Sequence, residues 1–111
     1  MTKILRQQLI DTACEMNASG LNQGSSGNLS VRCGDGFLIT PSGMDYAVLS
    51  TNDITWMDLD GDTQGPRKPS SEWRFHAAIY QHRPEAGAVL HAHPVSCATL
   101  ACLGKGIPAF H

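Results

Sequence analysis

Pro69-Ser70-Ser71-Glu72 and Val89-Leu90-His91-Ala92-His93 bracket the stretch of sequence that decides the fold. The second segment is a short apolar run bounded by a glycine and a proline, which is typical of a buried strand. Side chains two positions apart on a strand point to the same face, so His91 and His93 are predicted to project side by side. Two neutral imidazoles placed in this way can bind one divalent metal ion.

Glu72 follows two serines at the predicted start of a helix over residues 72–82. A carboxylate in this position can complete a metal site or act as its base. The plainer interpretation is that one histidine of the pair is a hydrogen-bonded core residue and that Glu72 caps the helix. A His-x-His pair alone does not choose between the two interpretations.

The composition predicts a single globular domain over residues 1–111, with 41% hydrophobic and 16% charged residues. A net charge of −2 provides no basic field for nucleic acid or anionic lipid, so neither is expected as a partner. No apolar run approaches the roughly 20 residues that span a bilayer, and the start of the chain does not resemble a secretory signal. We therefore expect a cytoplasmic protein.

Hydrophobic periodicity predicts helices and strands that alternate along the chain. A stripe of Leu5, Leu9, Ala13 and Met16 predicts a helix over residues 3–19 that ends at Gly20. A hairpin with one buried face is expected over residues 29–40, followed by a strand over 54–59, the helix over 72–82 and a third helix over 94–103. A further strand begins at residue 107, so the chain is expected to be part of a longer domain.

Turns rich in small polar residues occur at the ends of these elements. Gly27-Asn28 closes a glycine-rich loop and Ser42-Gly43 follows the hairpin, while Ser70-Ser71 precedes the second helix. Exposed N–H groups, hydroxyls and a helix N-terminus are the groups that bind phosphate. On composition alone the glycine-rich loop favours an ordinary turn between helix and strand, and it lacks the Gly-Lys-Ser/Thr of a Walker loop.

Four motifs nevertheless recur together, in this order, in one known family. They are Asn22-Gln23-Gly24-x-x-Gly27-Asn28-x-Ser30-Val31-Arg32, Leu38-Ile39-Thr40-Pro41-Ser42-Gly43, Pro69-Ser70-Ser71-Glu72-Trp73-Arg74-Phe75-His76 and His91-x-His93. The chain resembles the class II aldolase/adducin family over its whole length. The resemblance implies an α/β fold in three layers, with a mostly antiparallel central sheet covered by helices on both faces. It also implies assembly into a homotetramer and a family chain about twice as long as this one.

The resemblance further implies zinc-dependent cleavage of a ketose 1-phosphate, with L-fuculose 1-phosphate as the expected substrate and dihydroxyacetone phosphate and L-lactaldehyde as products. On the family's pattern Glu72 binds zinc and becomes the acid/base when substrate displaces it, and His91 and His93 are two of three zinc histidines. The third histidine and a C-terminal tyrosine lie beyond residue 111, so this stretch alone is expected to be inactive. The residues that would cradle the substrate phosphate are Gly27, Asn28, Ser42, Gly43, Ser70 and Ser71.

The sequence leaves open other enzymatic functions of the family and one non-enzymatic function. Sugar-phosphate epimerases of the family tend to carry aspartate where this chain has Glu72, which favours an aldolase. Several dehydratases and decarboxylases keep glutamate, so the same comparison is weaker against them. A non-catalytic adducin-like interaction module would lose the metal ligands, whereas Glu72, His91 and His93 are all present.

Overall fold

The structure is a computed structural model, and it describes residues 2–20 and 27–92. Two helices and five strands make up its regular elements, and two short 3₁₀ turns at Tyr46–Val48 and Thr51–Asp53 connect the second strand to the third. In chain order the elements are α1 (Thr2–Ala18), β1 (Asn28–Cys33), β2 (Gly36–Ile39), β3 (Thr55–Asp58), β4 (Thr63–Gln64), α2 (Trp73–His82) and β5 (Ala88–His91).

The strands form one sheet in the order β4-β3-β2-β1-β5, and every neighbouring pair is antiparallel. Ser30 of β1 lies opposite Ile39 of β2 on one side and opposite Val89 of β5 on the other. The predicted antiparallel sheet is therefore confirmed. Its register carries residue 28, at the start of β1, directly opposite His91.

In the part of the chain that the structure describes, each face of the sheet is covered by one helix. Successive side chains of β2 point to opposite faces, so Leu38 packs with Leu9 and Ala13 of α1. Phe37 and Ile39 belong to a second cluster against α2, with Met57, Ala77 and Tyr80. The prediction of helices on both faces is confirmed, whereas the expectation that the hairpin has only one buried face is wrong. An alternating pattern does not distinguish a solvated face from one that a second helix covers.

Both helices begin and end close to the predicted residues. Gly20, just beyond the end of α1, has a φ of +79°, the left-handed conformation that ends many helices. The guanidinium of Arg32 on β1 donates to the carbonyl oxygens of Tyr80 (3.0 Å) and Arg83 (3.2 Å) at the end of α2. These contacts hold the end of α2 against β1, the strand that begins at the Gly27-Asn28 turn.

The strand that carries His91 differs from its prediction. It covers Ala88–His91 rather than residues 89–93, and it is the edge strand of the sheet that residues 28–91 form. Val89 is buried but Leu90 is 45% exposed, so the expected burial of this strand is wrong. The predicted third helix over residues 94–103 and the strand from residue 107 lie outside the described residues.

Neither helix in the described part of the chain is long and apolar enough to cross a membrane.

Candidate active site

The polar turns that lie far apart in the sequence meet around one cavity. The cavity has a volume of about 190 Å³ and lies where the starts of β1 and α2 approach the turn after β2. All six residues predicted to contact phosphate line it, together with the predicted base; they are Gly27, Asn28, Ser42, Gly43, Ser70, Ser71 and Glu72.

Main-chain hydrogen bonds hold two of these turns side by side. The N–H of Ser42 donates to the carbonyl oxygen of Lys68 at 3.0 Å, and the N–H of Ser70 donates to that of Thr40 at 2.9 Å. Pro41 and Pro69 form an isolated antiparallel bridge between these bonds. The turn after β2 and the start of α2 therefore behave as one unit.

Thr40, which the sequence analysis did not single out, connects this unit to the third turn. Its hydroxyl accepts the N–H of Leu29 at 3.3 Å, and its own N–H donates to the carbonyl oxygen of Leu29 at 3.1 Å. Tyr46 adds a second link by donating its hydroxyl to the carbonyl oxygen of Gly27. Burial raises the pKa of Tyr46, while its hydrogen bond with Thr40 acts in the opposite direction. The sequence signal for the role of Thr40 is its position between a buried strand and a proline.

The cavity wall offers neutral hydrogen-bond donors for an anion. Ser42, Gly43 and Ser71 are exposed, and Gly43 has a φ of +72° that favours glycine at this position. The N-terminus of the ten-residue helix α2 adds the positive end of its dipole. Among the described residues that line the cavity there is no lysine or arginine. Main-chain amides and hydroxyls are therefore the groups that can bind a phosphate here.

Glu72 lies at the N-cap position of α2 with an exposed side chain, but that side chain makes no capping hydrogen bond. The cap is provided instead by Ser70, whose hydroxyl accepts the N–H of Glu72 at 3.2 Å. The plainer interpretation of Glu72 as a capping carboxylate is therefore wrong. Its side chain is available for chemistry at the cavity.

His91 is the last residue of β5, and its imidazole lies between two side chains. Nδ1 is 3.5 Å from Nδ2 of Asn28, and its ring centroid is 5.5 Å from that of Phe75. Within residues 2–20 and 27–92, no three histidine, cysteine, aspartate or glutamate side chains come together as a metal site. His93, the other histidine of the pair, lies outside the described residues. Imidazole and carboxylate are nevertheless donors that suit zinc, so His91 and Glu72 fit its chemistry.

A chain of buried side chains runs from the core to the cavity. Nδ1 of His76 lies 2.6 Å from the hydroxyl of Ser30, which in turn lies 2.7 Å from that of Tyr80. On its other side His76 hydrogen-bonds through Nε2 to Oδ1 of Asn28. Burial, followed by the charge of His91, lowers the pKa of His76 to about 4. Burial also raises the pKa of Tyr80. His76, which occurs in the sequence only as the last residue of the third motif, is thus part of a buried polar network.

Comparison with known proteins places this arrangement in a family. A model described as "Class II Aldolase and Adducin N-terminal domain" matches residues 7–111. The 5-methylthioribulose-1-phosphate/5-deoxyribulose-1-phosphate aldolase of Rhodospirillum rubrum is 58% identical over 107 residues, which are 96% of this chain and 48% of that protein. The L-fuculose phosphate aldolase of Haemophilus influenzae is 51% identical over 96% of this chain and 50% of its own length.

Solved structures agree with the sequence comparison. An L-fuculose 1-phosphate aldolase superposes with a TM-score of 0.90 at 38% identity, and the match covers all of this chain and 54% of that one. A putative aldolase/epimerase/decarboxylase from Klebsiella pneumoniae has a TM-score of 0.87 at 30% identity, with coverage of 97% and 53%. The chain therefore spans about half the length of the relatives that it matches.

Proposed function

The chain belongs to the class II aldolase and adducin family, and from that membership we propose that the complete protein cleaves a ketose 1-phosphate to dihydroxyacetone phosphate and an aldehyde. The observation that supports this reaction is the cavity at which the polar turns meet the carboxylate of Glu72. It combines donors suited to a phosphate with one group that can carry a proton.

In the proposed mechanism the turns bind and orient the substrate. The residues that hold the phosphate are Gly27, Asn28, Ser42, Gly43, Ser70 and Ser71. The binding energy of this remote group fixes the position of the reacting bond. Donors on rigid strand and helix ends suit this task, because they need little rearrangement when the ligand arrives.

Glu72 is the proposed acid/base. Breaking the bond between the α and β carbons of the ketone leaves an enediolate, and the carboxyl group of Glu72, in its protonated form, can deliver a proton to the α carbon. In the synthetic direction the same carboxylate removes that proton. Its position at the entrance to α2, without a capping role, leaves it available for this transfer.

Class II aldolases are metal-dependent, and we propose Zn²⁺ as the ion of this protein. His91 and His93 would hold it together with Glu72 and a third histidine from beyond residue 111. When bound, zinc supplies positive charge that stabilises negative charge developing on the substrate oxygens.

The substrate proposed first is L-fuculose 1-phosphate, as the family motifs imply. A relative named for 5-methylthioribulose 1-phosphate and 5-deoxyribulose 1-phosphate is 58% identical to this chain, and this favours a second candidate. All three ketoses carry the same phosphorylated half, which becomes dihydroxyacetone phosphate on cleavage. The proposed phosphate contacts and Glu72 serve that shared half, so we assign the choice of aldehyde to residues outside this cavity.

The test is an assay of the full-length protein with zinc and each of the three ketose 1-phosphates, in which release of dihydroxyacetone phosphate is coupled to a reporter. We expect release from at least one of them. An epimerase would return a substrate isomer with all its carbons, and a dehydratase or decarboxylase would release water or carbon dioxide instead. An adducin-like interaction module would turn over none of them.

We also propose a homotetramer in the cytoplasm as the working form of the full-length protein. Support for the assembly comes from the resemblance alone, and sedimentation velocity of the full-length protein tests it. A species with the mass of a monomer or dimer at micromolar concentration would contradict this assembly.

A further inference from the structure

The buried side chains from Tyr80 to Asn28 form a series of hydrogen bonds in which each group donates to the next one. Oδ1 of Asn28 is only an acceptor, so Nε2 of His76 must donate to it. His76 is fully buried beside neutral partners, where a charged imidazole is costly, so its other nitrogen accepts. The hydroxyl of Ser30 therefore donates to Nδ1 of His76 and accepts from the hydroxyl of Tyr80.

The hydrogen bond between His76 and Oδ1 of Asn28 determines which end of the amide faces the site. The two ends of an asparagine amide have the same shape but opposite hydrogen-bonding character. With the oxygen held by His76, the nitrogen remains on the side of His91, 3.5 Å from its Nδ1. A flipped amide would bring its N–H₂ group against the N–H of His76 and would turn an oxygen toward an anionic ligand.

We propose that His76 is a positioning residue: through hydrogen bonds that begin at Tyr80 and pass through Ser30, it keeps the Asn28 amide turned so that its N–H₂ group donates to the substrate. This inference rests on the proposed function, because it takes Asn28 as a substrate contact. The donated hydrogen bond suits an anionic oxygen, such as one of a phosphate. Tyr80, Ser30 and His76 themselves touch no ligand in this arrangement.

The first test is independent of activity. Long-range ¹⁵N–¹H spectra of the full-length protein distinguish the two neutral tautomers of an imidazole. We expect the hydrogen of His76 on Nε2, and in Ser30→Ala we expect the Nδ1–H tautomer to appear as well. A His76 that carries its hydrogen on Nδ1 in the wild-type protein would overturn the proposal, whatever reaction the protein catalyses.

The second test measures binding of dihydroxyacetone phosphate by calorimetry in Ser30→Ala, Asn28→Ala and the double variant. We expect Ser30→Ala to weaken binding about tenfold, since a misoriented amide loses one hydrogen bond to a charged group. Because Ser30 acts through Asn28, the double variant should bind no more weakly than Asn28→Ala alone. Losses that simply add would contradict the proposed coupling.

Two further variants separate positioning from general destabilisation. Tyr80→Phe removes one oxygen from the start of the chain and should weaken binding less than Ser30→Ala does. Thr55→Val removes another fully buried hydroxyl, one that donates to the carbonyl oxygen of Arg67 away from the cavity, and should leave the dissociation constant unchanged. Equal weakening in Thr55→Val and Ser30→Ala would assign the effect to stability and overturn the proposal. The wild-type protein could also fail to bind dihydroxyacetone phosphate while His76 carries its hydrogen on Nε2. That result would count against the proposed function and against Asn28 as a substrate contact. It would not count against the direction of the buried hydrogen bonds.

Discussion

Glu72 shows at the scale of one residue how a helix start can be used for chemistry rather than for capping. Ser70 supplies the capping acceptor, so the Glu72 carboxylate on the cavity wall is not needed for it. The sequence predicted the position of Glu72 correctly because serines and a following helical pattern define a helix start. It did not reveal which of the neighbouring side chains accepts the main-chain N–H, since that depends on rotamers.

Changing Glu72 to glutamine should slow cleavage by about 10²–10⁴-fold, because the amide keeps the shape of the side chain but cannot carry the proton. The measurement is exchange of the hydroxymethyl proton of dihydroxyacetone phosphate in deuterated water. Glu85→Gln is the matched control, since Glu85 is an exposed carboxylate that pairs with Arg83. Wild-type exchange in Glu72→Gln would remove Glu72 from the mechanism.

A double change of His91 and His93 to alanine should abolish stoichiometric zinc in the full-length protein, since each lost ligand should lower metal affinity more than tenfold. Elemental analysis of the purified protein after dialysis measures the effect. His82→Ala provides the control, because His82 is exposed at the end of α2. Full zinc content in the double variant would rule out the proposed ligands.

At the scale of an element, the start of α2 and the turn after β2 work as a pair. The sequence predicted α1, the β1–β2 hairpin and α2 because each has a clear period and an evident start or end. It did not predict that Thr40 joins the turns, because a hydrogen bond between residues distant in sequence leaves no periodic signal. The position of β5 at the edge of the sheet formed by residues 28–91 was missed for a related reason: an apolar run does not report how many neighbours a strand has.

Ser71→Ala should weaken binding of a phosphorylated substrate by about 1–3 kcal/mol, the cost of one hydrogen bond to a charged group. The dissociation constants of the phosphorylated and dephosphorylated sugars give the measurement. Ser19→Ala, at the exposed end of α1, is the control. If both sugars bind equally well to the wild-type protein, the cavity is not a phosphate site.

Thr40→Val should lower the free energy of unfolding by about 1–3 kcal/mol, because it keeps the side-chain shape but leaves the buried N–H of Leu29 without its hydroxyl acceptor. Urea denaturation measures the change. It should also weaken phosphate binding, since the turns lose a shared contact, whereas Thr55→Val should affect stability alone. An unchanged unfolding midpoint in Thr40→Val would show that the hydroxyl does not hold the turns together.

At the scale of the whole molecule, the sheet separates two apolar clusters that share no residue. Ile10 of α1 belongs to one cluster and Ile39 of β2 to the other. Changes on opposite faces should therefore act independently, even though the same sheet carries both. The cavity lies where Tyr46, a member of the cluster that contains Ile10, meets the polar turns.

Ile10→Val and Ile39→Val should each cost about 0.5–1.5 kcal/mol of unfolding free energy, the usual cost of deleting one buried methylene. In the double variant the two costs should add to within about 0.5 kcal/mol. Chemical denaturation of the four proteins measures this, with Ile4→Val as an exposed control on the same helix as Ile10. A strongly non-additive result would mean that the two faces are mechanically coupled.

The distance along the chain between the turns has a practical consequence for finding ligands. Only folding brings together the three turns at residues 27–28, 42–43 and 70–71. An anion that bridges them therefore has no comparable site on the unfolded chain. Such an anion raises the melting temperature by an amount that grows with the logarithm of the ratio of its concentration to its dissociation constant. Candidate sugar phosphates can therefore be ranked by thermal shift on a slowed variant such as Glu72→Gln, in which little of each ligand is consumed during the measurement.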